Sequence, residues 1–148
     1  DTVQKLNNDC RGAIRGFNAH VCNELHKTDK QYLIDNLENF RKRGQRCVVV
    51  THHAPLMTGT SSPIYETPGR ALRHAFSTDL SHIINAYADI ASVWVHGHTH
   101  FSHRSPFVTS PSQPYAKCVS IVSNQFGYNS REAGDGIGFS AAVDPIHV

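Results

Sequence analysis

The stretch VWVHGHTH at residues 93–100 decides the fold prediction, because an apolar run stops abruptly in three histidines at alternate positions. A continuously apolar run of this kind is typical of a strand that is buried on both faces of a sheet. A second run, CVVVTH at residues 47–52, is β-branched and apolar, and it also ends in histidine, with another histidine at position 53. The two runs therefore predict two buried strands that carry histidines at the same end.

The segments around these strands predict helices. Apolar residues three and four positions apart predict an amphipathic helix over residues 6–26. Thr28 followed by Gln31 matches a capping box and predicts a second helix, which Gly44 ends. Thr78 is predicted to cap a third helix with one apolar face. The remaining predictions are loops at 54–69 and 102–114, a third strand at 117–125, and a short last strand at 139–143 or 145–148.

Alternating helices and buried strands predict an α/β layered fold, with a mixed, largely parallel sheet flanked by helices. The 148 residues suffice for one domain, and with 39% hydrophobic and 18% charged residues the composition excludes a disordered chain. No apolar run approaches the roughly 18 residues of a membrane span, and no signal-like segment or glycosylation sequon is present. No Cys-x-x-Cys pair occurs, so no zinc knuckle is predicted, and Cys47 and Cys118 are either free or bridged. Free thiols, with no signal-like segment and no sequon, predict a reducing, cytoplasmic location.

The histidines predict a metal site at one edge of the sheet. Ligands of open α/β sheets bind beyond the carboxyl ends of the strands, where histidines from parallel neighbouring strands converge. Eleven of the 148 residues are histidine, the commonest metal ligand. In an extended segment His98 and His100 would lie on one side, with Cα atoms about 6.5 Å apart. They can then share one ion only if the backbone bends, or they can serve two neighbouring ions. Gly97 is expected to permit that bend, while Thr99 points toward the interior.

Two motifs carry a resemblance to a known family. VVVTHHAPL at 48–56 followed by WVHGHTH at 94–100 resembles the two C-terminal signature motifs of the calcineurin-like metallophosphoesterases. The resemblance is greatest to fungal members, and it extends to HVCNELHKTDKQYLIDNL at 20–37, IVSNQFGY at 121–128 and AAVDPIHV at 141–148. It therefore covers almost the whole chain and implies the C-terminal half of the αββα fold of that family.

The resemblance also implies a function, the metal-dependent hydrolysis of phosphoric monoesters or diesters. His52, His98 and His100 match metal-binding histidines of the family. His53 matches no ligand, and we expect it to act as a catalytic residue that steadies a phosphate oxygen of the substrate. Three further residues are expected to contact the ligands or line the pocket without binding the ion: His96, Asn124 and His74.

Three upstream motifs of the family do not occur in the sequence, namely Asp-x-His, Gly-Asp-x-x-Asp/Glu and Gly-Asn-His-Asp/Glu. Residues 1–148 are therefore predicted to form a single, partial domain. Three imidazoles supply no negative charge to offset two close cations, so we expect at most one Mn, Fe or Zn site in this chain alone. A half-sheet would expose an unpaired edge, and the expected partner is a second copy of the chain or the missing N-terminal half.

Two other functions stay open. A net charge of +2 and the basic run Arg41, Lys42, Arg43 and Arg46 suggest an RNA-directed protein, such as a ribonuclease-like or ribosome-inactivating toxin. The same cations are typical of a helix C-terminus, where the helix dipole favours them. Alternatively, the chain is a catalytically inactive metal-binding fragment, which would be ordered but would hydrolyse no phosphate ester.

Overall fold

The computed structural model describes residues 18–66, 73–109 and 117–125. The predicted helix turns before residue 18 and the predicted last strand lie outside the described residues. In chain order the elements are helix α1 (Ala19–Lys42), strand β1 (Cys47–Thr51), the one-turn helices α2 (Pro63–Glu66) and α3 (Arg73–Phe76), helix α4 (Ser81–Tyr87), and strands β2 (Ala91–His96), β3 (His103–Val108) and β4 (Cys118–Ser123).

The four strands form one open sheet in the order β1-β2-β4-β3, which confirms the α/β class with a mixed, mostly parallel sheet. β1 pairs with β2 in parallel and β2 pairs with β4 in parallel, whereas β3 runs antiparallel to β4. Thr51, the last residue of β1, lies opposite His96, the last residue of β2. The carboxyl ends of the parallel strands therefore meet at one edge of the sheet, as predicted.

The hydrophobic core lies between one face of the sheet and the helices α1 and α4. It joins Leu37 of α1 and Ile83 of α4 to Val49, Trp94 and Ile121, which occupy paired positions on adjacent strands. Each large apolar side chain buried here contributes about 1.5–3 kcal/mol. This packing fixes the strands whose ends carry the histidines.

Burial on both faces is confirmed for the central strand β2 but is wrong for β1. In β2 the consecutive residues Val93 and Trp94 are 2% and 1% exposed. In β1 only Val49 is buried, whereas Val48 and Val50 are 44% and 72% exposed. β1 lies at an edge of the sheet and pairs with one strand, whereas β2 pairs with a strand on each side.

Helix α1 is continuous where two helices were predicted. The side chain of Asn18 caps it and accepts hydrogen bonds from the N–H groups two and three residues on, at 3.0 and 3.1 Å. Thr28 lies inside the helix and donates its hydroxyl to the carbonyl of Glu24 at 3.0 Å, a bond that helix interiors tolerate. Gly44 follows the helix at φ +65°, which confirms the predicted end.

Two further local predictions are wrong. Thr78 does not cap α4, because Leu80 occupies that position and Asp79 accepts a hydrogen bond from the N–H of Ser81 at 3.0 Å. The predicted loop at 102–114 contains strand β3. This strand includes Pro106, which an edge strand accommodates because one side of its backbone needs no partner.

The cysteines and helices bear on two other predictions. Cys22, Cys47 and Cys118 are free, so the alternative of a bridge between Cys47 and Cys118 is not found. Burial raises the pKa of the Cys47 thiol.

Within the described segments, no helix combines the length and apolarity needed to cross a membrane.

Candidate functional site

Three histidine rings meet at the carboxyl edge of the sheet. His52 and His53 directly follow β1, and His98 follows the end of β2. The ring centroid of His98 lies 4.7 Å from that of His52 and 4.6 Å from that of His53, and the His52 and His53 centroids are 5.1 Å apart. We call these three residues the histidine cluster. The predicted convergence of histidines from neighbouring strands is thus present.

Hydrogen bonds to the backbone fix the two segments that carry the histidine cluster, residues 52–53 and residues 97–98. The N–H of Gly97 donates to the carbonyl of His52 at 3.0 Å, which continues the β1–β2 pairing beyond its last register pair. The Thr51 hydroxyl donates to the carbonyl of His53 at 2.8 Å, and the next residue, Ala54, donates its N–H to Phe76 at 3.1 Å. The backbone beneath His52 and His53 is therefore held on both sides.

The bend that the sequence required lies at the histidines themselves. His98 has φ 69° and His100 has φ 50°, both in the left-handed region. Such a conformation costs a non-glycine residue roughly 1–2 kcal/mol, and strain of this kind concentrates at functional sites. Gly97 itself has no positive φ, so it does not supply the bend as predicted. A Cβ there would lie 3.6 Å from the carbonyl oxygen of His52, an ordinary van der Waals distance, so the space at this position does not require glycine either.

The predicted ligand His100 lies on the far side of this bend. It is half buried, and its backbone N–H donates to Oε1 of Gln125 at 3.0 Å. The rings in mutual contact are those of His52, His53 and His98. His53, which was predicted to bind substrate and not the ion, therefore lies in contact with two of the predicted metal ligands. Thr99 is buried as predicted, at 8% exposure.

The histidine cluster has suitable donors for a divalent cation but not the orientation of a formed site. With Zn–N bonds of about 2.0–2.1 Å, the ring centroids of a tetrahedral three-histidine site lie about 5 Å apart, close to the spacing seen here. Across the described residues, however, no set of three His, Cys, Asp or Glu side chains is arranged to hold an ion. His52 and His53 are exposed, so rotation of their rings meets little obstruction. The sequence has no Asp or Glu within 40–65 or 90–131, the stretches that carry these strands.

His96 is buried and bonds to a second, half-buried histidine, His103. Its Nε2 lies 2.8 Å from Nε2 of His103, which reaches it from β3 across the small side chain of Ser123. Burial lowers the pKa of His96, and burial together with the neighbouring His96 lowers the pKa of His103 to about 4. Both rings are therefore neutral at pH 7.

The partners of this pair define its tautomers. Nδ1 of His96 lies 3.1 Å from the carbonyl of Gly97 and must donate to it, so Nε2 of His96 accepts from Nε2–H of His103. Nδ1 of His103 then accepts from the hydroxyl of Ser105 at 3.2 Å. The chain of bonds ends on Gly97, which is itself bonded to His52. His96 thus contacts the backbone next to the histidine cluster from within the sheet, and its supporting role toward an ion stays a prediction.

The other two predicted supporting residues, His74 and Asn124, are each close in sequence to a residue that contacts His98 or the turn after it. His74 is exposed on α3, and it is Phe76 of the same helix whose ring centroid lies 5.3 Å from that of His98. Asn124 is exposed after β4, and the following residue, Gln125, bonds to the turn that carries His98. Neither Phe76 nor Gln125 was predicted, because both contacts join residues more than 20 positions apart.

The loop after β1 borders the site and is closed by Glu66. Its carboxylate accepts the backbone N–H groups of Gly59, Thr60 and Ser61 at 3.0–3.1 Å and the Ser61 hydroxyl at 3.2 Å. Burial alone would raise the pKa of Glu66, but these hydrogen bonds outweigh it and lower the pKa. Tyr65 places its ring 5.7 Å from that of Phe76, so an aromatic surface adjoins the histidine cluster.

The basic run lies at the other end of the sheet, before β1 begins. Arg41 is engaged there: it bonds to the carboxylate of Asp89 and the carbonyl of Ala86, and its guanidinium lies 4.5 Å from the ring centroid of Tyr87. A polar cleft of about 290 Å³ adjoins it, with Lys117 on its wall. These contacts favour a structural role for Arg41, and the length of β1 separates the run from the histidine cluster.

Comparison of the chain with protein-family models, with curated proteins and with solved structures finds no significant match.

Proposed function

We propose that this chain carries the metal-binding edge of a metal-dependent phosphoric ester hydrolase, a phosphomonoesterase or phosphodiesterase, or forms the C-terminal half of one. The observation that carries the proposal is the convergence of His52, His53 and His98 from the ends of two neighbouring parallel strands. Two of these imidazoles, those of His52 and His98, are suitable donors for one Mn, Fe or Zn ion, and the ring of His53 lies beside them. The resemblance of the motifs at 48–56 and 94–100 to the calcineurin-like metallophosphoesterases supports the same class.

In this proposal His52 and His98 hold the ion, with His100 as the third ligand that the resemblance implies. A bound divalent cation supplies a Lewis acid beside the phosphoryl group. His53, whose ring contacts both His52 and His98, donates a hydrogen bond from its ring N–H to a phosphate oxygen of the substrate. Phe76 lies beside His98 and offers the ester group an apolar surface.

We further propose that carboxylates from a partner complete the metal site, either from a second copy of the chain or from a segment that carries the N-terminal motifs of the family. Two observations support this: the histidine-bearing stretches contain no acidic residue, and Val48 and Val50 leave an exposed apolar strip on the edge strand β1. Metal-dependent association, measured by light scattering with and without Mn²⁺, distinguishes self-association from dependence on another chain.

Hydrolysis of an aryl phosphate tests the proposal. Wild type, His98→Ala and His26→Ala are compared on p-nitrophenyl phosphate and bis(p-nitrophenyl) phosphate with Mn²⁺, Fe²⁺ or Zn²⁺. His26 is an exposed residue of α1 and serves as the matched control. We expect metal-dependent turnover in wild type and His26→Ala, and a loss in His98→Ala larger than the roughly 10–100-fold cost of a supporting residue. Equal turnover in His98→Ala and wild type would contradict the proposal, whereas metal binding without turnover would favour the inactive metal-binding fragment.

RNA binding and catalytic inactivity stay predictions from the sequence. The basic run and the histidine cluster lie at opposite ends of β1, so RNA bound by the basic residues would not be presented to the histidines by the same surface. RNA retention that weakens steeply with salt would nevertheless favour the RNA-directed alternative.

A further inference from the structure

Gln125, directly after β4, bonds to the turn that follows His98. Its side-chain Oε1 accepts the N–H of His100 at 3.0 Å, and its Nε2 donates to the Thr99 hydroxyl at 3.0 Å. The same Nε2 also donates to the hydroxyl of Ser123 at 2.5 Å, which ties the amide to the strand from which it projects. One amide plane thus holds the two residues that follow His98.

The backbone of Gln125 is fixed to the same turn. Its N–H donates to the hydroxyl of Ser102 at 2.8 Å, and that hydroxyl donates back to the Gln125 carbonyl at 3.3 Å. The side chain of Gln125 cannot shift away from the turn without breaking these bonds as well. Gln125 and the segment 99–102 therefore form one hydrogen-bonded unit.

This unit holds the backbone on which His98 is presented. His98 and His100 both have positive φ, a conformation that non-glycine residues adopt only when the surroundings impose it. On the N-terminal side, the bond from Gly97 to His52 fixes the turn, and the Thr99 N–H donates to Gly97 at 2.8 Å. On the C-terminal side, the described structure fixes it through Gln125. An amide suits this position because it accepts from an N–H and donates to a hydroxyl at once.

We propose that Gln125 is the positioning residue of the histidine cluster, and that its amide sets the turn conformation in which His98 binds a divalent cation. The inference rests on the proposed function, since it requires the histidine cluster to bind an ion. Gln125 acts through Thr99 and His100 and does not itself touch the ion.

Cobalt binding tests this role. Co²⁺ is titrated into wild type, Gln125→Met and Gln45→Met, and the visible absorption of the bound ion is recorded. Methionine matches glutamine in length but forms none of the amide hydrogen bonds, and Gln45 is an exposed residue at the opposite end of β1. Wild type and Gln45→Met are expected to bind Co²⁺ with the same affinity and spectrum. Gln125→Met is expected to bind about 10–100-fold more weakly, with a changed spectrum, because losing a residue that orients a ligand has this effect.

Each outcome has a defined meaning. Wild-type affinity and spectrum in a folded Gln125→Met variant would overturn the positioning role but leave the proposed function intact. Absence of Co²⁺ binding in wild type would overturn both. If Gln125→Met does not fold, Ser102→Ala removes only the hydroxyl bonded to the Gln125 backbone. That variant is expected to bind Co²⁺ more weakly than wild type, by less than the roughly 10–100-fold loss of Gln125→Met, and unchanged binding would equally overturn the inference.

Discussion

Replacing Glu66 by glutamine should destabilise the loop that borders the histidine cluster. The carboxylate receives four hydrogen bonds, three of them on Oε1 and one, from Gly59, on Oε2. Glutamine keeps one acceptor oxygen, but it turns three charge-assisted bonds into neutral ones and places an NH₂ group against the N–H of Gly59. Charge-assisted bonds are about twice as strong as neutral ones, which contribute roughly 1 kcal/mol each. With a discount for partial exposure, we expect a loss of about 2 kcal/mol at pH 7.

Urea unfolding followed by tryptophan fluorescence measures this loss. Trp94 is the single tryptophan of the chain and is 1% exposed, so its emission reports unfolding of the core. Glu24→Gln is the matched control, because Glu24 is exposed on α1 and pairs only with Lys27 across one helical turn. That variant should differ from wild type by no more than about 0.5 kcal/mol.

The dependence on pH identifies the charge as the cause. The folded-state pKa of Glu66 is lowered below its ordinary value of 4.5. Its stabilising contribution is therefore complete above pH 4.5 and is lost as the pH falls through the lowered folded value. The free-energy gap between wild type and Glu66→Gln should be full at pH 7 and should narrow progressively below pH 4.5. A gap that is absent at pH 7, or equally wide at pH 3.5, would refute the reasoning.

Two further predictions concern the fold. Ile121→Ala, at a position with 0% exposure, should lower the free energy of unfolding by about 2–5 kcal/mol, whereas Val50→Thr on the exposed face of β1 should change it by less than about 0.5 kcal/mol. In urea unfolding, a loss of stability for Val50→Thr as large as that for Ile121→Ala would contradict the exposure of Val50 on the outer face of β1. Arg41→Ala should cost about 1–2 kcal/mol because it removes the bonds to the partly exposed Asp89 carboxylate and to the carbonyl of Ala86, while Lys42→Ala should be neutral. If the two variants unfold at the same temperature, the structural role of Arg41 is contradicted, and RNA binding by the basic run again becomes the interpretation to test.

The sequence predicted the strands whose local composition is strongly β-forming. β1, β2 and β4 are β-branched apolar runs, and all three were found where predicted. The meeting of His52 and His98 followed from one assumption, that their strands are parallel neighbours. Strand alternation with helices favours that arrangement, so the edge of the sheet that carries the site could be predicted without the structure.

Other features depend on contacts distant in sequence. β3 has the sequence HRSPFV, whose arginine, serine and proline are not typical of a strand. It forms a strand because it pairs with β4. Thr28 matched a helix start, but the helical context on both sides outweighed the local motif. The bonds from Gln125 to Thr99 and His100 span more than 20 residues, and no local signal announces them. Exposure of Val50 depends on the order of the strands, which the apolar pattern of β1 does not encode.

The metal content of the chain is the most direct test of the central claim. Wild type, His98→Ala and the control His26→Ala are dialysed against Mn²⁺ or Zn²⁺ and then against metal-free buffer, and the retained ions per chain are counted by mass spectrometry. We expect about one ion per chain in wild type and His26→Ala, and none in His98→Ala. Retention of the ion by His98→Ala, or no retained ion in wild type, would contradict a metal site built on the histidine cluster.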